Sequence, residues 1–261
     1  MYCALTVAGS DPSGGAGLQA DLRTFTALGV YGLAVVSSLT AQNTSGVART
    51  EEIRRDFLEA QIRTLLEDIS VHAVKSGMLL SGDAVEVLSS ALRKIPSVPY
   101  VMDPVIRASD GTPLFQEGVV KELVRKLIPL ATLVTPNLHE AGILAGMTVE
   151  TIDQMREAAR IIHHLGPRYV LVKGGHLRDA ACDLLFDGQS FEVFRSPRIG
   201  GKKIHGAGCV FSAAITAGLA TGRDMMGAVT QAKTLITQAI QHSMRPGKGA
   251  DVLSVIPVLY K

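Results

Sequence analysis

The run His205-Gly206-Ala207-Gly208-Cys209 leads directly into an apolar stretch, Val210 to Leu219, that reads as a helix. Residues this small leave successive backbone N–H groups bare at a helix N-terminus, where the peptide dipoles are positive. A turn of that kind stabilises charge developing on a transferring phosphoryl group. Cys209 falls in the first turn, where the dipole favours a thiolate. A thiolate there could take the proton of an attacking hydroxyl. A small buried cysteine that merely packs the helix start fits the same spacing equally well.

Other polar clusters also follow apolar runs. Gly9-Ser10-Asp11-Pro12-Ser13-Gly14-Gly15-Ala16-Gly17 joins a strand to a helix. Its backbone N–H groups are expected to form a positive concavity. No Lys-Ser or Lys-Thr follows the last glycine, so it is not a Walker A loop, and it does not match G-x-G-x-x-G. Asp21 lies one helical turn beyond Gly17 and is expected to face the same end of the sheet. In Thr40-Ala41-Gln42-Asn43-Thr44, read as a loop, Gln42 offers a donor and an acceptor to an amide-like heterocycle edge. An ordinary polar loop is the alternative. Asp103, in Met102-Asp103-Pro104-Val105, suits a metal or charge role, or a helix cap. Asn137 and Glu140 have the spacing of a capping box, and the same pair suits a hydrated Mg²⁺, which prefers oxygen ligands. Lys173, before Gly174-Gly175-His176, ends an apolar strand, where a lysine needs a partner such as a phosphate.

These residues need a frame that brings strand ends together. Apolar runs at Tyr2 to Ala8, Leu33 to Leu39, Ala73 to Gly77, Tyr100 to Asp103, Thr132 to Thr135 and Tyr169 to Lys173 read as strands. Segments near Ala16 to Leu28, Phe57 to Ile69, Glu117 to Leu127, Asn137 to Ala145 and Thr151 to Leu165 read as helices. Leu184 to Phe186 and Phe191 to Phe194 flank Asp187-Gly188 and read as a hairpin. Two helices follow, the second with Val229, Ala232, Ile236, Ala239 and Ile240 on one face. Strands alternating with helices imply an α/β fold with a mainly parallel sheet covered on both faces. In such sheets ligands bind at the carboxyl ends of the strands. With no repeat, low-complexity stretch or linker in its 261 residues, the chain is expected to be one domain, 1–261.

Composition narrows the partners. A net charge of +2 without a Lys/Arg run argues against nucleic acid and anionic membranes. Apolar runs are too short and too often interrupted to span a bilayer, and no signal-peptide pattern opens the chain. Three cysteines without a C-x-x-C pair argue against a disulfide framework or zinc cluster and fit a reducing, cytoplasmic setting.

Taken in order, the segments Ala4 to Leu22, Leu39 to Thr44 with Gly46-Val47, Lys75-Ser76-Gly77-Met78-Leu79, Met102 to Val105, Thr135-Pro136-Asn137, Lys173 to Leu177 and His205 to Cys209 resemble the bacterial hydroxymethylpyrimidine/phosphomethylpyrimidine kinases end to end. The resemblance implies a ribokinase-like three-layer α/β/α sandwich, ATP with Mg²⁺, and two successive phosphorylations in thiamine biosynthesis. The first is on 4-amino-5-hydroxymethyl-2-methylpyrimidine and the second on its monophosphate. It places catalysis on Cys209 and the turn Gly206, Ala207 and Gly208. Pyrimidine contacts fall on Gly9, Asp21, Gln42, Met78 and Val105. Nucleotide contacts fall on Asp103, Asn137, Lys173, His205 and Lys233, and the metal on Glu140 and Asp103. A homodimer is implied as well. Related kinases of this fold phosphorylate pyridoxal or pyridoxine, a second reading; a pyrimidine sensor without catalysis is a third. The family's Asn- and Thr-rich turn before the cysteine is here Gly200 to Val210, with Ala207 and Val210 replacing threonines and Lys203 offering replacement charge.

Overall fold

The computed structural model describes residues 1–106, 118–175, 181–197, 199 and 204–255. Glu117, His176, Leu177, Lys203 and the stretch Gly200 to Lys203, all part of the sequence expectations, lie outside these residues.

A nine-stranded sheet forms the middle layer, in the order β3-β2-β1-β4-β5-β6-β7-β8-β9. Its parallel part is β2 (Tyr31–Asn43), β1 (Cys3–Ser10), β4 (Ala73–Ser76), β5 (Tyr100–Met102), β6 (Leu133–Val134) and β7 (Tyr169–Gly174). The edges are antiparallel: β3 (Gly46–Glu52) pairs with β2, and β8 (Ala181–Phe186) with β7 and β9 (Phe191–Ser196). The chain leaves β1 for β2 on one side and returns to β4 on the other. The carboxyl ends of β1 and β4 therefore flank the point where the order reverses, the usual place for a ligand crevice.

Alternation along the strands assigns the two faces. Leu5, Val7, Leu33 and Val35 point into a core shared with α2 (Arg55–Asp68), α3 (Gly82–Leu92), α5 (Leu138–Ala145) and α6 (Ile152–His163). Ala4 faces the opposite layer of α1 (Gly17–Ala27) and α7 (Ala207–Ala220), and α8 (Met225–Gln241) completes that layer over Leu133 and Leu171. The α/β class and the central parallel sheet match the sequence expectation. Among the described residues, no helix is long and apolar enough to cross a membrane.

Several elements differ from the sequence reading. Thr40 to Thr44 is not a loop, because β2 continues to Asn43 and turns into β3. That edge strand, GVARTEE, is mostly exposed and lacks the apolar alternation that would have marked it. Helix α3 was not anticipated, although Ser81 caps it and Ala84, Val85, Leu88 and Leu92 bury one face. The helix expected to reach Leu127 is only one α turn, α4 (Val119–Glu122). A wider π turn at Leu123–Leu127 and a 3₁₀ turn at Ile128–Leu130 follow, the latter holding Pro129, which cannot donate to an α ladder. Finally, β10 (Ile204–His205) pairs with β11 (Asp251–Val252), fastening the segment before α7.

Candidate active site

The Gly-rich loop after β1 does not present a free anion cradle. It folds around its own Asp11, which is 3 % exposed. The Asp11 carboxylate accepts from Ser13 N (2.9 Å), Ser13 Oγ (2.7 Å) and Ala16 N (2.8 Å). His205 Nε2 lies 2.8 Å from it, and the Gln42 side-chain amide 3.0 Å from the same ring nitrogen. Burial raises the Asp11 carboxyl, but the hydrogen bonds from His205, Ser13 and Ala16 outweigh it and hold it below the usual range. The expected concavity is thus filled by a carboxylate of the same loop. His205 and Gln42 are drawn to it from the far end of the chain and from β2.

The start of α7 is different. Its N-cap, Gly206, has φ +80° and no side chain caps the helix. A Cβ on Gly206 would collide with the carbonyl oxygen of Gly15 and lie 2.8 Å from its carbonyl carbon. Only glycine allows the two loops to pass this closely in a left-handed conformation. The first-turn N–H groups of Ala207, Gly208 and Cys209 precede any intrahelical acceptor. A Cβ on Gly208 would lie 3.2 Å from Lys173 Nζ and 3.6 Å from Asp103 Oδ2. The uncapped turn therefore rests directly on a lysine–carboxylate pair.

Cys209 is half-buried, and the backbone N–H of Gly17, at the start of α1, hydrogen-bonds it. The thiolate expected from the helix dipole is not what the surroundings favour. Burial pushes the thiol up to about 11; Lys75 opposes that shift, and Asp21 and Asp103 add to it. Below such a value the thiolate fraction grows tenfold per pH unit. Alkylation of Cys209 by iodoacetamide should therefore rise about tenfold per unit between pH 8 and 10. Peptide mapping separates it from Cys3 and Cys182. A rate that is flat above pH 7 would show a thiolate already formed.

At the ends of β5, β6 and β7, Asp103 is the hub. Its Oδ1 accepts from Lys173 Nζ (2.7 Å) and Thr135 Oγ1 (3.1 Å), and Ser212 Oγ lies 3.1 Å from Oδ2. Burial alone raises Asp103, yet Lys173 and Lys75 hold it below the usual carboxylate range. Asn137 and Glu140 form the capping box: Glu140 N donates to Asn137 Oδ1 (3.0 Å), and Asn137 N donates to Glu140 Oε2 (2.8 Å). Ile106 N adds a contact of 3.3 Å to Oε1. Burial, with Asp103 nearby, raises Glu140 to about 7 against the pull of Lys173.

The remaining expected residues divide into two groups. Gly9 and Met78 meet: a Cβ on Gly9 would collide with Met78 Cε and lie 2.7 Å from Ser38 Oγ. Half-buried Val105 follows Asp103 in a tight turn, with its N–H 2.9 Å from Asp103 O. Asp21 is fully buried and accepts from Thr6 Oγ1 (2.7 Å) and from Lys75 Nζ at both oxygens (2.6 and 2.7 Å). Lys233 donates to Asp183 Oδ2 (2.6 Å), whose other oxygen takes Gly174 N (3.1 Å). It thus braces the end of β7 from α8. Lys75, Asp11, Ser212 and Asp183 were not anticipated as site residues. The signal for Lys75 was a lysine directly after the apolar pair Ala73-Val74 in a short strand, where it demands a buried partner.

Known proteins are similar to this chain over most of its length. The phosphomethylpyrimidine kinase family model matches residues 11–254. A hydroxymethylpyrimidine/phosphomethylpyrimidine kinase of Staphylococcus aureus is 42% identical over 261 residues, covering 99% of this chain and 95% of its own. A thiamine biosynthesis bifunctional protein of Geobacter sulfurreducens is 46% identical over 94% of this chain, which corresponds to 50% of that protein. Among solved structures, an ADP complex of Bacillus subtilis pyridoxal kinase superposes with a TM-score of 0.91 at 38% identity, covering 100% of both chains.

Proposed function

The chain belongs to the phosphomethylpyrimidine kinase family, and from that premise we propose how its site moves a phosphoryl group. The fold is ribokinase-like. The activity is ATP-dependent phosphorylation of 4-amino-5-hydroxymethyl-2-methylpyrimidine and then of its monophosphate, two steps of thiamine biosynthesis. One observation carries the mechanism: the uncapped start of α7, bearing Cys209, lies against the Lys173–Asp103 pair.

In this reading the N–H groups of Ala207, Gly208 and Cys209 hold the oxygens of the transferring phosphoryl group. Lys173 adds a fixed positive charge, kept in place by Asp103. Gly9, Gln42, Met78 and Val105 seat the pyrimidine so that its hydroxymethyl oxygen faces the γ-phosphorus. Cys209 accepts or orients the hydroxyl proton. Phosphoryl transfer asks for positioning and charge stabilisation, so no covalent intermediate on the protein is needed. Asp21 holds Lys75 beneath this floor, His205 ties the approach to α7 onto Asp11, and Lys233 braces β7.

The residues fit Mg²⁺. Asp103 after β5, and Asn137 and Glu140 after β6, offer oxygen ligands at neighbouring strand ends. That suits an ion that keeps most of its waters and is held through few carboxylates. Bound there, it would neutralise nucleotide phosphate charge. The same premise carries a homodimer, a cytoplasmic setting and a single kinase domain over 1–261.

Incubation with ATP, Mg²⁺ and the pyrimidine alcohol should give both the monophosphate and the pyrophosphate, resolved by mass. The monophosphate alone would mean that the small turn at Ala207 has lost the second step. No product at all would sink the reading. The close superposition on a pyridoxal kinase supports a second reading, phosphorylation of pyridoxal; turnover of both alcohols side by side ranks them.

A further inference from the structure

We propose that Ser38 is a specificity-determining contact for the heteroaromatic substrate, its hydroxyl bonding a polar edge of the ring at the pocket floor between β1, β2 and β4. The inference rests on the reading that Gly9, Gln42 and Met78 seat that ring.

Ser38 is fully buried, and its Oγ has no hydrogen-bond partner among the described residues. A buried hydroxyl left unpaired is costly, and native proteins rarely keep one without a use. Its neighbours are already engaged. Ser37 Oγ donates to Met78 O (2.8 Å), fixing the turn after β4, and Thr40 Oγ1 donates to Ser10 O (2.9 Å). Ser38, Thr40 and Gln42 are the more buried alternate residues at the end of β2, set between exposed Leu39, Ala41 and Asn43. Ser38 is paired with Gly9 in the sheet, and its Oγ lies beside the bare α-carbon of Gly9, where Met78 Cε also converges. The other buried atoms without a partner among the described residues are Arg23 Nε on α1, whose guanidinium donates to Gly14 O, and Gln231 Oε1 on α8. An aminopyrimidine brings ring nitrogens and an exocyclic amine, and a rotating hydroxyl can donate to the first or accept from the second.

The test is Ser38→Ala in the full chain. Calorimetry would measure binding of the pyrimidine alcohol without nucleotide, and steady-state kinetics and thermal unfolding would accompany it. The expected result is a roughly five- to tenfold rise in Kd and KM for the pyrimidine. The KM for ATP should not change, and Tm should not fall, because no internal bond is lost. Unchanged pyrimidine affinity would overturn the proposal. So would a lower Tm with unchanged affinity, which would show that the hydroxyl serves an internal partner such as a buried water. Wild-type protein that binds no pyrimidine would instead overturn the substrate reading, and this proposal with it.

Discussion

Cys209→Ala should lower kcat with the pyrimidine alcohol by about 10²–10⁴-fold, the usual worth of a positioned general base. The KM for ATP should change by less than about twofold, because the first-turn N–H groups of α7 belong to the backbone and survive the substitution. The direction of the thiol shift adds a second reading of the same experiment. With the thiol pushed up to about 11, the thiolate is a minor species at neutral pH. Where proton transfer limits turnover, kcat of the native enzyme should climb with pH through the neutral range. The alanine variant should lose that slope along with its activity. Near-native turnover with the slope intact would remove the sulfur from the mechanism and leave the proton to a phosphoryl oxygen or water.

Lys75→Met should be the most damaging single change to stability, costing about 3–5 kcal/mol. Lys75 and Asp21 are both 0 % exposed in their side chains and joined by two short contacts. Burial lowers a lysine, but Asp21 outweighs it, and the ammonium stays charged. Removing it leaves Asp21 with only Thr6 as a partner and no compensating charge. The double variant Asp21→Asn with Lys75→Met removes both charges and should recover a large part of the loss. Urea unfolding of the four proteins closes the cycle. If the single variant costs under about 1 kcal/mol, the pair does not hold the floor of the site.

Much of this was legible because the chemistry sits where apolar runs stop. Asp103 and Asn137 each follow a strand and Lys173 lies at the end of one, and a parallel sheet brings those ends together whatever the loops do. The small turn Gly206 to Cys209 announced a bare helix start for the same reason. What escaped depends on distances that sequence order does not carry. Nothing in the order of residues says that Asp11 would turn back on its own loop, or that His205 would come to meet it. The dipole argument left Cys209 open between a thiolate and a small packed cysteine, and burial, a property of the assembled layers, favours the neutral thiol. Edge strand β3 was missed because its exposed, polar sequence has no core to record.

The clasp between Asp11 and His205 joins residues 194 positions apart, and Gly206 passes against Gly15 in the same place. The loop after β1 is therefore completed by a segment made long after it. A nascent chain can lay down most of its sheet while its catalytic mouth still lacks a wall, and contacts of such long range are slow to close. A chain ending before Ala207 would contain Gly9, Ser38, Met78, Asp103 and Lys173 in its sequence but not the first turn of α7 that bears Cys209. The topology thus ties the phosphoryl cradle to a segment that follows every strand of the nine-stranded sheet in chain order.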